Sequence, residues 1–222
     1  VPVFAQDTVK IGANLEMTGS VAAYGQMINE GVELIMEIVG TEVLGKQIEY
    51  VLVDNKSDKV EAANAANRLI DKEKVVAMIG PAISGSMLAS GPICEEKKVP
   101  QISATSTNPL VTQDKKYSFR ATFIDSYQGL AAAQFAYKDL EAKTVAILSD
   151  IAQDYCVALG NFFKEAYEEM GGEVLTVQHC KTGDQDFSAQ LTTIFNLNPD
   201  LIYLPNYYTE IALICRQARD LG

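Results

Sequence analysis

Positive charge is scarce in this sequence. Its 222 residues include 18 Lys and Arg against 29 Asp and Glu, which gives a formal net charge of −11. Nucleic acids and anionic lipid surfaces are bound by clustered Lys and Arg side chains, so we expect no nucleic-acid partner. No apolar run approaches the roughly 20 residues of a membrane span, so we expect no direct membrane span either.

Cysteine is sparse, and its spacing does not suit a metal. Cys94, Cys156, Cys180 and Cys215 form no C-x-x-C pair, so we expect no metal site. Cys94 and Cys215 fall on apolar helical faces and are predicted to lie in the core. If a disulfide forms, Cys156 with Cys180 is the best candidate, because both lie near strand-end loops.

The common catalytic motifs are missing. A Walker loop needs a lysine that Ile79–Met87 lacks, a dinucleotide site needs more than the lone Gly12, and no G-x-S-x-G elbow occurs. We therefore expect a protein that is not an enzyme and binds no cofactor. The remaining catalytic alternative is a Cys156 nucleophile, with its pKa lowered by a helix start and His179 as its base.

Short apolar segments alternate with helical patterns along the chain. Predicted strands lie at Val9–Leu15, Gln47–Val53, Val75–Ile79, a segment ending at Ile102, Val145–Leu148, Val174–Val177 and Leu201–Leu204. Such alternation predicts α/β architecture, with parallel sheets flanked by helices and right-handed crossovers.

Two helices in the first half have apolar stripes that predict their buried faces. The first runs from Gln26 to Gly40, with apolar positions at Ile28, Val32, Ile35 or Met36, and Val39. The second carries Val60, Ala63, Ala66 and Leu69 or Ile70. We expect both stripes to face the sheet.

The strand and helix pattern restarts after an extended segment at residues 117–125. This predicts an N-terminal α/β lobe at 1–120 and a second α/β lobe at 121–222. The last residues end a helix, and no strand follows to complete the second sheet, so we expect the C-terminal part of the architecture to be absent from this chain. Residues 1–7 suit the tail of a removed export signal cleaved near Ala5, and equally a cloning remnant.

The stretch from Ile79 to Pro109 is the candidate binding site. Gly80-Pro81 ends a strand, and Ser84 is predicted to cap the next helix. The backbone amides just past Gly80 would then accept a carboxylate at the positive end of the helix dipole. Hydroxyls and carbonyls of the run from Ser103 to Thr107, which includes Thr105 and Ser106, would bind the ammonium of the same ligand.

The second half also places candidate residues at strand ends. Tyr155 and Tyr207 follow predicted strands, and ligands of open parallel sheets bind at the carboxyl ends of strands. Asp125 to Gln128 is predicted to form a capping box. Arg120 is predicted to form an ion pair that links the lobes.

These residues resemble those of a known family, the periplasmic substrate-binding proteins of ABC transporters for branched-chain amino acids (Leu/Ile/Val type), with the type I periplasmic binding protein fold. The resemblance runs from Val9 to Gly222. It rests on an ordered set of motifs: Thr18-Gly19 with Tyr24-Gly25, Ile79-Gly80 with Ser84, Ser103 to Pro109, Asp125-Ser126 with Gln128-Gly129, Asp150 with Tyr155, Asp186 to Ser188, and Tyr207 with Arg216 to Arg219.

The resemblance implies a function and a set of roles. Two Rossmann-like lobes would close on an amino acid and deliver it to ABC permease subunits, in the periplasm or another extracytoplasmic space. The ligand carboxylate would bind Ser84 and the amide and hydroxyl of Thr107, and the ammonium would lie near the Thr105 carbonyl. Tyr24, Tyr155 and Tyr207 would surround the ligand. The acidic partner of the ammonium lies beyond residue 222 in the family pattern.

Several alternatives stay open at this point. Leu, Ile, Val, Ala, an aromatic amino acid or an aromatic acid all suit the pattern. The same fold also serves in ligand-sensing receptor domains, which differ from transport proteins by an adjoining membrane span or signalling module.

Overall fold

The computed structural model describes residues 8–222, and the predicted export-signal remnant lies outside them. The chain divides into two compact units. Unit 1 extends to Ser106 and includes Leu110–Thr122, and unit 2 consists of Thr107–Pro109 and Phe123–Gly222. The predicted lobe boundary after residue 120 stays a prediction.

Unit 1 consists of one mostly parallel sheet and the helices that connect its strands. Its described strands form one six-stranded sheet in the order β2-β3-β1-β4-β5-β6. They are β1 (Thr8–Leu15), β2 (Glu42–Val43), β3 (Lys46–Asp54), β4 (Ala77–Ile79), β5 (Gln101–Ser103) and β6 (Ser118–Arg120). The β2-β3 pair is antiparallel and was not predicted, whereas all other pairs are parallel.

The helices of unit 1 join these strands. They are α1 (Ala22–Val39), α2 (Lys59–Asn67), which continues into a π-helical turn (Arg68–Lys72), and α3 (Ser84–Lys97). A 3-10 turn at Pro109–Val111 follows β5. Met78, Leu69 and Cys94 lie in the core of this unit, as predicted for Cys94.

Unit 2 repeats the pattern on a smaller sheet. Within its described residues, three parallel strands have the order β8-β7-β9. Its elements are α4 (Asp125–Gln134) with a π-helical turn (Phe135–Asp139), β7 (Thr144–Asp150), α5 (Asp154–Glu169), β8 (Glu173–Cys180), α6 (Ser188–Leu197), β9 (Leu201–Tyr203) and α7 (Tyr208–Leu221). Both units thus confirm the predicted α/β class with parallel sheets flanked by helices.

The predicted buried face of α1 is partly wrong. Its buried residues are Gly25 and Asn29, while Ile35 and Val39 are 50% and 68% exposed. The helix is held to the sheet by a polar contact, because the Tyr50 hydroxyl of β3 donates to Asn29 Oδ1 at 2.9 Å. The outer part of the apolar stripe, at Ile35 and Val39, is therefore exposed.

The predicted buried face of α2 is confirmed at Ala66, Leu69 and Ile70 and is wrong at Val60. Ala62, Ala65 and Ala66 are buried, whereas Val60 is 67% exposed. Asp58 caps the helix by accepting hydrogen bonds from the amides of Val60 and Glu61, which places Val60 in the first turn. The small alanines let α2 pack closely on α3.

Two glycines of α1 give a matched test of this packing. An added Cβ at Gly25 would lie 2.3 Å from the Glu16 carbonyl oxygen, whereas one at Gly31 would meet nothing within 4 Å. We expect Gly25→Ala to lower the free energy of unfolding by about 1–3 kcal/mol, as overpacking does. Gly31→Ala should raise it by about 0.5–1 kcal/mol through helix propensity.

Urea unfolding of the complete protein, followed by circular dichroism, measures both effects. Equal effects of the two substitutions would contradict the close approach of α1 to Glu16.

Candidate functional site

The candidate site of unit 1 begins where two neighbouring parallel strands end. Ile79 of β4 pairs with Ile102 of β5, so the loops that follow them leave the same edge of the sheet. Gly80 has φ 87°, and a Cβ there would lie 2.3 Å from the Asn14 carbonyl oxygen. A glycine is therefore required where β4 turns into the loop before α3.

Hydroxyls of the β5 loop hold the carbonyls of the β4 loop. Ser103 Oγ donates to the Pro81 carbonyl at 2.6 Å, and Thr105 Oγ1 donates to the Ala82 carbonyl at 2.7 Å. Ser106 Oγ also donates to the Ala82 carbonyl, at 3.0 Å. The hydroxyls of Thr105 and Ser106 thus donate to the protein's own backbone, and the contacts of this run with a ligand ammonium stay a prediction.

The amides of the β4 loop are also occupied. Glu16 Oε2 accepts a hydrogen bond from the Ala82 amide at 2.8 Å, and Glu16 Oε1 accepts one from the Ile83 amide at 3.3 Å. We expected a ligand carboxylate at the amides just past Gly80. That expectation is wrong for these two amides, because the protein supplies its own carboxylate there.

Glu16 is a wholly buried acidic side chain. It has no exposed surface, and burial raises its pKa, although the hydrogen bonds from Ala82 and Ile83 oppose the rise. The Ser86 hydroxyl also lies close enough to the Glu16 carboxyl group to lower the pKa of Glu16, but it does not meet hydrogen-bond geometry. Glu16 was not predicted, because an acidic residue directly after an apolar strand is equally typical of an exposed loop.

Ser84 lies at the start of α3 without capping it. The N-cap is Ile83, with extended backbone (φ −95°, ψ 149°), and Ser84 is the first helical residue. The predicted capping role of Ser84 is therefore wrong. Its side chain is 1% exposed, and the small neighbours Gly85 and Ser86 are also buried.

Tyr24 lies in the first turn of α1 and is half-buried. The loop before it is anchored by Asp54, at the end of β3. Asp54 accepts hydrogen bonds from the amides of Met17 and Thr18 at 3.0 and 3.1 Å, and from the Thr18 hydroxyl at 2.7 Å. Burial opposes the Asp54 charge, but these bonds and one from Lys56 outweigh it and lower the pKa of Asp54.

The candidate residues of unit 2 form an aromatic pair. The rings of Tyr155 and Tyr207 are stacked, with centroids 5.2 Å apart and planes 23° apart. Tyr155 is in the first turn of α5, after β7, and Tyr207 is the N-cap of α7, after β9. Gln128 donates from Nε2 to the Tyr155 hydroxyl at 3.3 Å, which was not predicted.

Thr107 is held beside the start of α4. It is 6% exposed, and its carbonyl accepts a hydrogen bond from the Asp125 amide at 2.9 Å. Asn108 donates from Nδ2 to the Asp154 carbonyl at 3.1 Å. The predicted capping box at Asp125 is wrong, because the N-cap of α4 is Ile124 and Asp125 is the first helical residue.

Arg120 makes contacts within unit 1. Its guanidinium donates to Thr112 Oγ1 at 2.5 Å and to the Ser106 carbonyl at 3.4 Å. Both contacts hold the segment between β5 and β6. The predicted ion pair between lobes stays a prediction.

The cysteine chemistry does not suit catalysis. Cys156 is fully buried, and burial raises its pKa, the reverse of the lowered pKa that a nucleophile needs. All four cysteines are free, so the candidate Cys156–Cys180 bridge does not form. Cys215 is exposed, which corrects its predicted place in the core.

The described residues contain no cluster of three or more His, Cys, Asp or Glu that could hold a metal ion. Their helices also include none that is both long and apolar enough to cross a membrane.

Parallel α/β units with polar and aromatic residues at the strand carboxyl ends define a class of small-ligand-binding proteins. The comparisons with known proteins narrow this class. A family model described as periplasmic binding protein matches residues 8–222, and the chain belongs to this family.

Relatives and solved structures agree with this assignment. A Leucine-, isoleucine-, valine-, threonine-, and alanine-binding protein of Pseudomonas aeruginosa is 30% identical over 98% of this chain and 59% of the relative. The leucine binding protein LivK of Thermotoga maritima is 53% identical with a TM-score of 0.94, over 96% of this chain and 61% of that one.

A third comparison includes a ligand. The branched-chain amino acid transporter substrate binding protein LivJ of Streptococcus pneumoniae, in complex with isoleucine, is 38% identical with a TM-score of 0.91, over 97% of this chain and 62% of that one. The chain thus spans about three fifths of the length of the proteins that it matches.

Thiol reactivity tests the burial of these cysteines. Burial raises the pKa of Cys94 and of Cys180 to about 12, so neither forms thiolate at pH 8. We expect a thiol reagent such as DTNB to modify Cys215 rapidly in the native protein and the other three only after denaturation. Peptide mapping of the labelled sites, with Cys215→Ser as control, measures this. Rapid native labelling of Cys156 would contradict the account and revive a nucleophilic role.

Proposed function

We propose that this chain is part of an extracytoplasmic solute-binding protein that captures an amino acid for ABC-type import. The observation that carries the proposal is the likeness to LivK, a leucine binding protein that is 53% identical over 96% of this chain. The isoleucine complex of LivJ, at 38% identity, supports a branched-chain amino acid as the ligand.

The proposal assigns ligand contacts in each unit separately. In unit 1, Tyr24, Ser84 and the carbonyl of Thr105 contact the ligand, with Ser84 on its carboxylate. In unit 2, Thr107 binds the carboxylate through its amide and hydroxyl, and Tyr155 and Tyr207 provide aromatic surface. Ser106, whose hydroxyl donates to the Ala82 carbonyl, stays among the proposed ligand contacts of unit 1. Capture by closure of two lobes stays a prediction.

The stacked tyrosines limit how the ligand ammonium is bound. The rings of Tyr155 and Tyr207 cover one face of each other, and Tyr207 is only 7% exposed. A cation over the face of an aromatic ring gains about 0.5–2 kcal/mol, depending on desolvation. Contact of the ligand ammonium with an aromatic ring therefore contributes less binding free energy than pairing of the ammonium with a carboxylate.

The other parts of the proposal follow from the family. Transport would need permease subunits as partners and a periplasmic or other extracytoplasmic location. The buried thiol of Cys156 and its raised pKa favour binding without catalysis.

Aromatic acids are a second ligand class. A solute binding protein of Rhodopseudomonas palustris BisB5, solved in complex with 3,4-dihydroxy benzoic acid, is 28% identical with a TM-score of 0.80. The stacked Tyr155–Tyr207 pair would suit an aromatic ring, which also stacks on aromatic side chains.

A thermal-shift screen of the complete protein tests the proposal. A ligand that binds the native state raises the melting temperature with the logarithm of its concentration over its dissociation constant. We expect Leu, Ile or Val to give the largest shift, and calorimetry to confirm it. A larger shift with hydroxylated benzoic acids would favour the second class, and no shift with either class would contradict the proposal.

Ser84 provides a matched pair of variants. Ser84 and Ser188 each begin a helix, α3 and α6 respectively, but Ser188 binds Asp186 at an exposed site. We expect Ser84→Ala to weaken ligand binding by about tenfold, the loss expected for a hydrogen bond to a charged group. Ser188→Ala should leave binding unchanged in the same calorimetric assay. Equal binding by both variants would remove Ser84 from the site.

A further inference from the structure

Among the described residues of unit 1, Glu16 is the one buried acid. Its carboxylate binds the backbone beside Ser84. Its oxygens accept from the Ala82 and Ile83 amides at 2.8 and 3.3 Å, and Ile83 is the residue directly before Ser84. Glu16 is separated from Ala82 by 66 positions in the chain. These bonds therefore link the end of β1 to the start of α3.

The backbone carbonyls of the same segment are hydrogen-bonded as well. The Pro81 and Ala82 carbonyls accept hydrogen bonds from Ser103 and Thr105. The segment before Ser84 thus has its amides fixed by a carboxylate and its carbonyls fixed by hydroxyls. With both kinds of backbone group satisfied, the position of Ser84 is fixed independently of any ligand.

Glu16 also adjoins the segment that carries Tyr24. The Glu16 carbonyl oxygen lies only 2.3 Å from where a Cβ on Gly25 would be. Glu16 therefore contacts α1 with its backbone and the start of α3 with its side chain. Tyr24 and Ser84, the two predicted ligand residues on these helices, are both placed relative to this one residue.

Folding stability does not explain a charge at this position. Burial raises the pKa of Glu16 above its ordinary value, so the folded state holds the proton more tightly than the unfolded chain does. A negative charge on Glu16 therefore lowers the free energy of unfolding, and this loss diminishes as the pH falls through the folded-state pKa. Groups with such shifts concentrate at functional sites.

We propose that Glu16 is a positioning residue for the carboxylate site at Ser84, and that it keeps the Ala82 and Ile83 amides when the ligand binds. The inference rests on the proposed function. Its consequence is that the ligand carboxylate is bound through hydroxyls and through amides other than these two. Glu16 itself does not contact the ligand.

A substitution of Glu16 tests the positioning role through a comparison of two ligands, one with a carboxylate and one without. The glutamine of Glu16→Gln has one acceptor oxygen for two amides, so the backbone before Ser84 loses a partner. We expect leucine binding to weaken by about tenfold, the loss expected for one charge-assisted hydrogen bond. Binding of leucinamide, which lacks the carboxylate, should change much less. Glu96→Gln, at an exposed acid on α3, is the control and should bind both as the wild type does.

Two results of this comparison would overturn the proposal. Unchanged or tighter leucine binding by Glu16→Gln would show that the carboxylate does not position the site. Equal losses for leucine and leucinamide would indicate general structural damage instead of a specific effect on the carboxylate site.

Amide exchange in the wild-type protein gives a test that needs no variant to fold. We expect the Ala82 and Ile83 amides to be protected from hydrogen exchange without ligand, and their NMR signals to move little when leucine is added. Large shifts on adding leucine, or rapid exchange in its absence, would overturn the proposal. Wild-type protein that binds no ligand of either class would contradict the proposed function, whereas the protection of these amides tests separately whether Glu16 holds them.

Discussion

The hydrogen bonds to the backbone of Pro81–Ile83 are the interaction on which the candidate site depends. Its carbonyls accept from the hydroxyls of the loop after β5, and its amides donate to Glu16 at the end of β1. A buried backbone segment needs a partner for each polar group, and here these partners come from side chains of other loops. The result is a fixed point directly before Ser84.

This constraint divides the polar residues of the site into two kinds. The hydroxyls of Ser103, Thr105 and Ser106 bind protein carbonyls and build the site, whereas Ser84 and Thr107 carry the proposed contacts to a ligand carboxylate. In unit 2, the stacked pair of Tyr155 and Tyr207 is set by Gln128 and by the starts of α5 and α7. These groups are the ones to which the proposed function assigns recognition of a small carboxylate.

Much of the fold was predictable, because strands of a parallel sheet are buried on both faces and form short apolar runs in the sequence. The family motifs also led to the proposed ligand contacts at Ser84 and Thr107. Side-chain partners were less predictable. Nothing in the sequence near Glu16 distinguishes an acid that binds backbone amides 66 positions away from one that faces solvent. Apolar periodicity likewise does not reveal that Asn29 is buried in α1, where its side chain accepts a hydrogen bond from the Tyr50 hydroxyl.

A crystal structure of the complete protein with bound leucine would test the central claim most directly. The account predicts that Glu16 still accepts hydrogen bonds from the Ala82 and Ile83 amides, and that the leucine carboxylate lies within hydrogen-bond distance of Ser84 Oγ. A leucine carboxylate bound to the Ala82 and Ile83 amides, with Glu16 displaced from them, would contradict it.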